Sequence, residues 1–99
     1  MKRPQTREAY ARRIERVVRY ISDHLDSDID VERLAEEAFL SPFHFHRVYA
    51  SVIGETCGDT VRRLRLHRAA VDLIHTARPV ATIARRAGYG SSAAFTRAF

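Results

Sequence analysis

Apolar residues recur at helical spacing along most of the chain, and no segment alternates apolar and polar residues with a period of two. The first amphipathic stretch, residues 9–25, is predicted to be a helix with arginines on the face opposite its aliphatic residues. The aliphatic face comprises Ile14, Val17, Val18, Ile21 and Leu25. A second helix is predicted to begin after Asp30, because the carboxylate of an N-cap residue accepts hydrogen bonds from first-turn amides. The pattern therefore predicts an all-α fold.

A third helix is predicted to follow almost immediately, with Ser41 as its N-cap, Pro42 at its first position and Gly54 at its end. Helical spacing separates its residues into two faces. The inward face holds Phe45, Val48, Tyr49 and Val52, and the outward face holds Phe43, His46, Arg47 and Ala50. Two short helices joined by about three residues form a candidate helix-turn-helix motif.

The fourth predicted helix is longer, with either Asp59 or Thr60 as its cap and an end near Ala77, because Arg78-Pro79 disfavours further helix. Its predicted apolar face consists of Leu66, Ala69, Ala70, Leu73, Ile74 and Ala77. A short helix over residues 80–87, a Gly88-Tyr89-Gly90 turn and a final helix capped by Ser91 complete the chain.

Two parts of the chain resemble each other at a shift of about 50 residues. Leu34–Ala38 matches Ile83–Ala87 at a shift of 49, and Phe45–Tyr49 matches Phe95–Phe99 at a shift of 50. The extra residue lengthens the second turn, and alanines at matching positions allow close helix crossing. We interpret the repeat as two helix-turn-helix units; a chance match between two short helices is the alternative.

The repeat predicts a domain organisation that is homeodomain-like, with two helix-turn-helix subdomains joined by a linker helix. In this division residues 1–8 form a flexible N-terminal segment and residues 9–58 form the first subdomain. Residues 59–78 form the linker helix, and residues 79–99 form the second subdomain.

Charge is distributed in zones along the chain, whose formal net charge is +5. Residues 1–22 carry seven basic and two acidic groups, residues 23–37 carry one basic and seven acidic groups, and residues 38–99 carry nine basic and three acidic groups. All basic residues except Lys2 are arginines. An arginine-rich chain whose acidic residues are gathered in one segment favours a polyanionic partner, although a generic charged surface is the alternative.

Several function classes lack support in the sequence. Cys57 is the only cysteine, so neither an intramolecular disulfide nor a multi-cysteine zinc site can form, and a reducing, cytoplasmic setting follows most simply. No apolar run approaches the roughly 18 residues that a membrane span needs. His44 and His46 point to nearly opposite sides of a helix, so we expect no metal site. We also expect no cofactor and no enzymatic activity, because no catalytic constellation or glycine-rich phosphate loop is present.

The chain resembles the DNA-binding domain of the AraC/XylS family of bacterial transcription regulators. The resemblance rests on blocks whose spacing also fits, and it extends from about Tyr10 to Phe99. The blocks are Leu34-Ala35 with Ala38, Leu40–Tyr49, Gly54, Leu64–Leu66 with Ala69-Ala70, Pro79-Val80, Ile83-Ala84, Gly88-Tyr89 and Phe95–Phe99. The family domain continues beyond the position of Phe99, which implies that the second unit is incomplete here and that a sensing domain can follow.

The resemblance implies that the chain regulates transcription by reading two adjacent major-groove segments of double-stranded DNA. Successive segments on one face of B-DNA lie about 34 Å apart. The recognition helices are the second helix of each unit, which are capped by Ser41 and Ser91. The base-reading candidates on the first of these helices are Phe43, His46 and Arg47, and those on the second are Ser92, Ala93, Thr96 and Arg97. Arginine can donate two hydrogen bonds to guanine, and phenylalanine or alanine can contact a thymine methyl group.

Candidate phosphate contacts lie at helix N-termini and on basic segments. They are Ser41, Ser91, Arg62, Arg63, Arg85 and Arg86. Three roles are open for the arginines of the first helix: a solvated surface, contacts to the DNA backbone, or contacts to RNA polymerase. RNA polymerase is therefore a second candidate partner. We expect this domain to be a monomer that does not bind membranes. The alternative function is a helical protein–protein interaction module, in which the basic first helix and exposed Phe43 contact a protein.

Overall fold

The computed structural model describes residues 7–99, which form six α-helices and no strand. The helices are α1 (Arg7–Asp23), α2 (Val31–Glu37), α3 (Pro42–Ile53), α4 (Cys57–His75), α5 (Val80–Arg86) and α6 (Ser92–Ala98). The predicted all-α fold is confirmed. Residues 1–6, most of the predicted flexible segment, lie outside the described residues. No helix of the described part is long and apolar enough to cross a membrane.

The chain divides into two compact units, with the boundary between Thr60 and Val61. In the first unit, α1 packs against both α2 and α3, and α2 packs against α3. Three aliphatic residues of the predicted α1 face are completely buried, namely Ile14, Val17 and Ile21. They meet the buried residues Leu34 and Ala35 of α2 and Phe45 and Tyr49 of α3 in a three-helix core.

The helix ends of the first unit follow the local signals in the sequence. Asp30 caps α2 by accepting a hydrogen bond from the amide of Glu32 at 3.0 Å. Ser41 caps α3 by accepting from the amide of His44 at 3.3 Å. Gly54 ends α3 with a left-handed backbone conformation, at a φ of 86° that residues with a side chain rarely adopt. These three predictions are confirmed.

The start of α4 differs from the prediction. The helix begins at Cys57, and the Thr56 hydroxyl oxygen accepts from the amide of Asp59 at 3.1 Å, so neither Asp59 nor Thr60 is the cap. Thr60 is instead completely buried, where the Tyr49 hydroxyl donates to it at 2.6 Å. The Thr60 hydroxyl in turn donates to the Glu55 carboxylate at 2.5 Å. Because a tertiary contact occupies this hydroxyl, local capping rules selected the wrong residue.

The second unit has a small core formed by side chains of α4, α5, α6 and the residue after α5. Its buried members are Ala69, Ile83, Ala84, Ala87 and Phe95, and Leu66 and Tyr89 pack against them partly buried. The predicted apolar face of α4 is only partly covered. Leu73 and Ile74 are exposed, Ile74 by 75%, and Ala77 lies beyond the end of the helix. Helical periodicity identifies a face, but burial extends only as far as other elements cover that face.

Candidate nucleic-acid interface

Helix α3 presents three of the predicted base-reading residues on its exposed face. Phe43 is 74% exposed, and His46 and Arg47 are also exposed. The guanidinium carbon of Arg47 lies 5.9 Å from the centroid of the Phe43 ring, so these two side chains form a cation–π contact. The opposite face of α3 is anchored in the core by Phe45 and Tyr49, whose ring centroids are 5.6 Å apart.

Helix α6 presents a similar arrangement on the second unit. Ala93, Thr96 and Arg97 are exposed, whereas Ser92 is half-buried and Phe95 is buried. The Thr96 hydroxyl donates to the backbone carbonyl of Ser92 at 2.8 Å. Its hydroxyl proton is therefore engaged within the helix, which leaves the oxygen lone pairs and the methyl group for an external partner.

Equivalent backbone hydrogen bonds form the turns before α3 and α6. The amide of Leu40 donates to the carbonyl of Ala35 at 3.0 Å, and the amide of Tyr89 donates to the carbonyl of Ala84 at 3.0 Å. Ser91 caps α6 by accepting from the amide of Ala94 at 3.1 Å, as Ser41 does for α3. The two motifs thus place α3 and α6 after the same kind of turn and cap.

The predicted phosphate contacts differ in how far they are exposed to solvent. Ser41, Ser91, Arg62, Arg63 and Arg85 are exposed. Arg86 is half-buried and forms an ion pair with Asp72, with 3.0 Å between guanidinium nitrogen and carboxylate oxygen. Arg68 also donates to the backbone carbonyl of Arg86 at 2.9 Å. Arg86 therefore connects α5 to α4 inside the second unit, a role that the sequence did not reveal.

A groove beside α3 contains residues that the sequence analysis did not select. It has a volume of about 410 Å³ and lies between the first turns of α1 and the exposed side of α3. Its lining consists of Arg7, Tyr10, His44, Arg47, Val48, Ser51 and Val52. The Tyr10 and His44 rings meet edge to face, with centroids 6.0 Å apart. The spacing of the α1 arginines indicated a basic helix face, but only the tertiary structure places Arg7 in a groove with α3.

Other chemistry finds little support in residues 7–99. No cluster of three or more His, Cys, Asp or Glu side chains in that range has an arrangement that could hold a metal ion. Cys57 is buried, and this burial raises the pKa of its thiol above the ordinary value. A thiol whose pKa is raised remains protonated near neutral pH and reacts slowly as a nucleophile.

Comparison with known proteins agrees with these motifs. A family model described as a helix-turn-helix domain matches residues 34–99. Regulatory protein SoxS of Escherichia coli K12 is 34% identical over 86 residues, which cover 87% of this chain and 80% of SoxS. The chain belongs to the AraC/XylS family of DNA-binding transcription regulators.

This AraC/XylS domain is also similar to other proteins and solved structures. The right origin-binding protein of E. coli K12 is 36% identical over 80 residues, which cover 81% of this chain but 28% of that protein. The C-terminal domain of AraT, a response regulator from Geobacillus stearothermophilus, superimposes with a TM-score of 0.73 at 31% identity, covering 88% of this chain and 73% of that one. A transcriptional regulator from Chromobacterium violaceum shares the fold, with a TM-score of 0.79 at 19% identity over 87% of this chain and 77% of that one.

Proposed function

We propose that this AraC/XylS domain reads two adjacent major-groove segments of its operator, one with α3 and one with α6. The observation that carries the proposal is the shared design of the two motifs. Each has a serine-capped helix that buries an aromatic residue at the matching position, Phe45 or Phe95, and exposes an arginine two positions later, Arg47 or Arg97. One chain then covers two half-sites, so its target need not be palindromic.

Each exposed residue has a base edge that suits its chemistry. Arg47 and Arg97 donate two hydrogen bonds to O6 and N7 of guanine. Phe43 and Ala93 pack against thymine methyl groups, and Thr96 offers a methyl group and an acceptor oxygen. His46 donates or accepts according to its tautomer, and half-buried Ser92 contributes only through its hydroxyl.

Phosphate contacts fix the position of each helix on the duplex without reading sequence. Ser41 and Ser91 lie at the N-termini of the recognition helices, and exposed Arg62, Arg63 and Arg85 supply positive charge. Arg86 is half-buried and pairs with Asp72, and because it is the least exposed arginine of this set we rank it last.

We infer the wider role from the family. We expect the domain to act in the cytoplasm as a monomer, without catalysis, and to use RNA polymerase as a second partner. A protein–protein interaction module that lacks DNA specificity is the alternative function, because exposed Phe43 also suits a protein interface.

Selection of DNA from a random pool, followed by binding measurements with Arg47→Ala and Arg97→Ala, tests the proposal. Each substitution should weaken binding to the selected site by about 1–3 kcal/mol and relax base preference in one half-site. Arg12→Ala removes the same charge from an exposed position of α1 and serves as the matched control. Selection that enriches no sequence, or variants that bind the selected site like the parent, would favour the interaction module.

A further inference from the structure

The groove between α1 and α3 is positively charged and adjoins the proposed DNA-reading face. Arg7 lies on its α1 side, and Arg47 lies on its α3 side. Arg47 also contacts the exposed Phe43 ring, so one side chain belongs both to the groove and to the reading face. A strand of DNA that follows the reading face would pass this groove.

The polar groups of the groove suit an anion. Besides the two guanidinium groups, the lining offers the Tyr10 and Ser51 hydroxyls and the His44 ring, and none of its described residues is acidic. Val48 and Val52 line part of the same surface and reduce its contact with water. Hydrogen bonds from a guanidinium or hydroxyl group to a phosphate oxygen are charge-assisted and stronger than those between neutral groups.

A second groove in the same unit shows that this charge is not a general property of α1. It has a volume of about 480 Å³ and contains Arg16 and Arg19, but Asp23 and Glu37 also line it. Arg16 lies 4.0 Å from the Glu37 carboxylate, and Arg19 lies 3.5 Å from that of Glu15. Of the three α1 arginines that line these two grooves, Arg7 alone lies beside α3 in a groove whose described lining contains no acidic residue.

We propose that the α1–α3 groove seats one phosphate of the DNA backbone, with Arg7 and Tyr10 as its contacts from α1. The inference rests on the proposed DNA-reading role of α3 and adds a contact element outside the helix-turn-helix motif. The phosphate belongs to the strand that flanks the major-groove segment read by α3. Binding of this phosphate would fix the angle at which Arg47 enters the major groove of the DNA.

Salt dependence of DNA affinity tests this contact with variants matched by charge. Arg7→Gln should weaken binding roughly fivefold to tenfold near physiological salt and lower the slope of log affinity against log salt by about 1, because one fewer counterion is released. Arg12→Gln removes the same charge from an exposed residue of the same helix that does not line the groove, and it should leave the slope unchanged. Tyr10→Phe keeps the ring beside His44 and should weaken binding roughly threefold without changing the slope.

Duplexes with one neutral methylphosphonate at each position in turn locate the phosphate. At one position flanking the α3 half-site, the parent should lose affinity, and Arg7→Gln should lose much less, because only the Tyr10 contact to that phosphate remains. The two proteins should then bind the modified duplex equally well. Base preference should stay unchanged in Arg7→Gln, since a phosphate contact carries no sequence information. Circular dichroism of each variant establishes that the helices remain folded.

The outcomes separate this inference from the proposed function. If Arg7→Gln behaves like Arg12→Gln while Arg47→Ala still weakens specific binding, the groove assignment is wrong and the reading role of α3 stands. If Arg47→Ala also has no effect, the reading role itself is wrong. Weakening by Arg7→Gln that no methylphosphonate position abolishes would likewise overturn the assignment to a single phosphate.

Discussion

The two helix-turn-helix motifs make the same turn with different residues at its left-handed position. Phe39 has a φ of 57° in the first motif, and Gly88 has a φ of 93° in the second. Their amides donate to equivalent carbonyls, Phe39 to Glu36 and Gly88 to Arg85, each at 3.0 Å. The turn therefore imposes the backbone conformation, and the residue at this position adapts to it.

The backbone of the first motif is therefore strained at a position where that of the second motif is not. Glycine adopts this conformation without a steric penalty, whereas a residue with a β-carbon pays about 1–2 kcal/mol. Phe39 is also 67% exposed, with the guanidinium carbon of Arg16 at 5.4 Å from its ring centroid. The first unit can carry this cost because large side chains, including Phe45 and Tyr49, fill its core, whereas three of the five buried core residues of the second unit are alanines.

Removing the central aromatic residue of either motif should have the largest effect. Phe45→Ala and Phe95→Ala should each lower the free energy of unfolding by about 3–5 kcal/mol, because both rings are buried. Urea unfolding followed by circular dichroism measures the loss. The matched controls Arg47→Ala and Arg97→Ala change exposed residues two positions away and should leave the midpoint nearly unchanged. Equal effects of the buried and exposed substitutions would contradict the assigned faces of α3 and α6.

At the left-handed position of either motif, alanine should be less stable than glycine. Gly88→Ala should cost about 1 kcal/mol, because strain outweighs the lower chain entropy of the unfolded alanine variant. A new β-carbon there would lie 3.5 Å from Arg65, an ordinary contact, so strain alone causes the loss. Phe39→Gly should be more stable than Phe39→Ala by about 1 kcal/mol, since both remove the ring and only glycine relieves the strain. Thermal unfolding that ranks Phe39→Ala above Phe39→Gly would refute this account of the turn.

A smaller loss of stability should follow when Tyr49 of the first motif is replaced by phenylalanine, the residue at the matching position of the second motif. Tyr49 occupies the position that matches Phe99 in the repeat, and its hydroxyl donates to buried Thr60. Tyr49→Phe should lower the free energy of unfolding by about 0.5–1 kcal/mol, because one buried hydrogen bond is lost while Thr60 keeps Glu55 as a partner. Chemical unfolding of the variant measures this difference. A variant as stable as the parent would show that the bond contributes nothing net.

Local signals in the sequence predicted most of the fold. The aliphatic face of α1, the caps Asp30, Ser41 and Ser91 and the end of α3 at Gly54 all rest on interactions between residues within a few positions of each other. The exposed side of α3 followed from the same periodicity, since the buried positions of Phe45 and Tyr49 fix where Phe43 and Arg47 face.

Contacts with residues distant in the sequence determined the roles of several side chains that local signals did not predict. Thr60 has the chemistry of a cap but is buried against Tyr49, and Arg86 has the charge of a phosphate contact but pairs with Asp72. Ile74 continues a helical apolar face that the described elements leave exposed.

The chain's own residue order thus determined the helices, their caps and the repeat, because these depend on short-range hydrogen bonds and helical spacing. Only the tertiary structure decided which polar side chains face inward and that Arg7 and Arg47 line the same groove. Packing brings together residues about 40 positions apart, and no local pattern records which of them will meet.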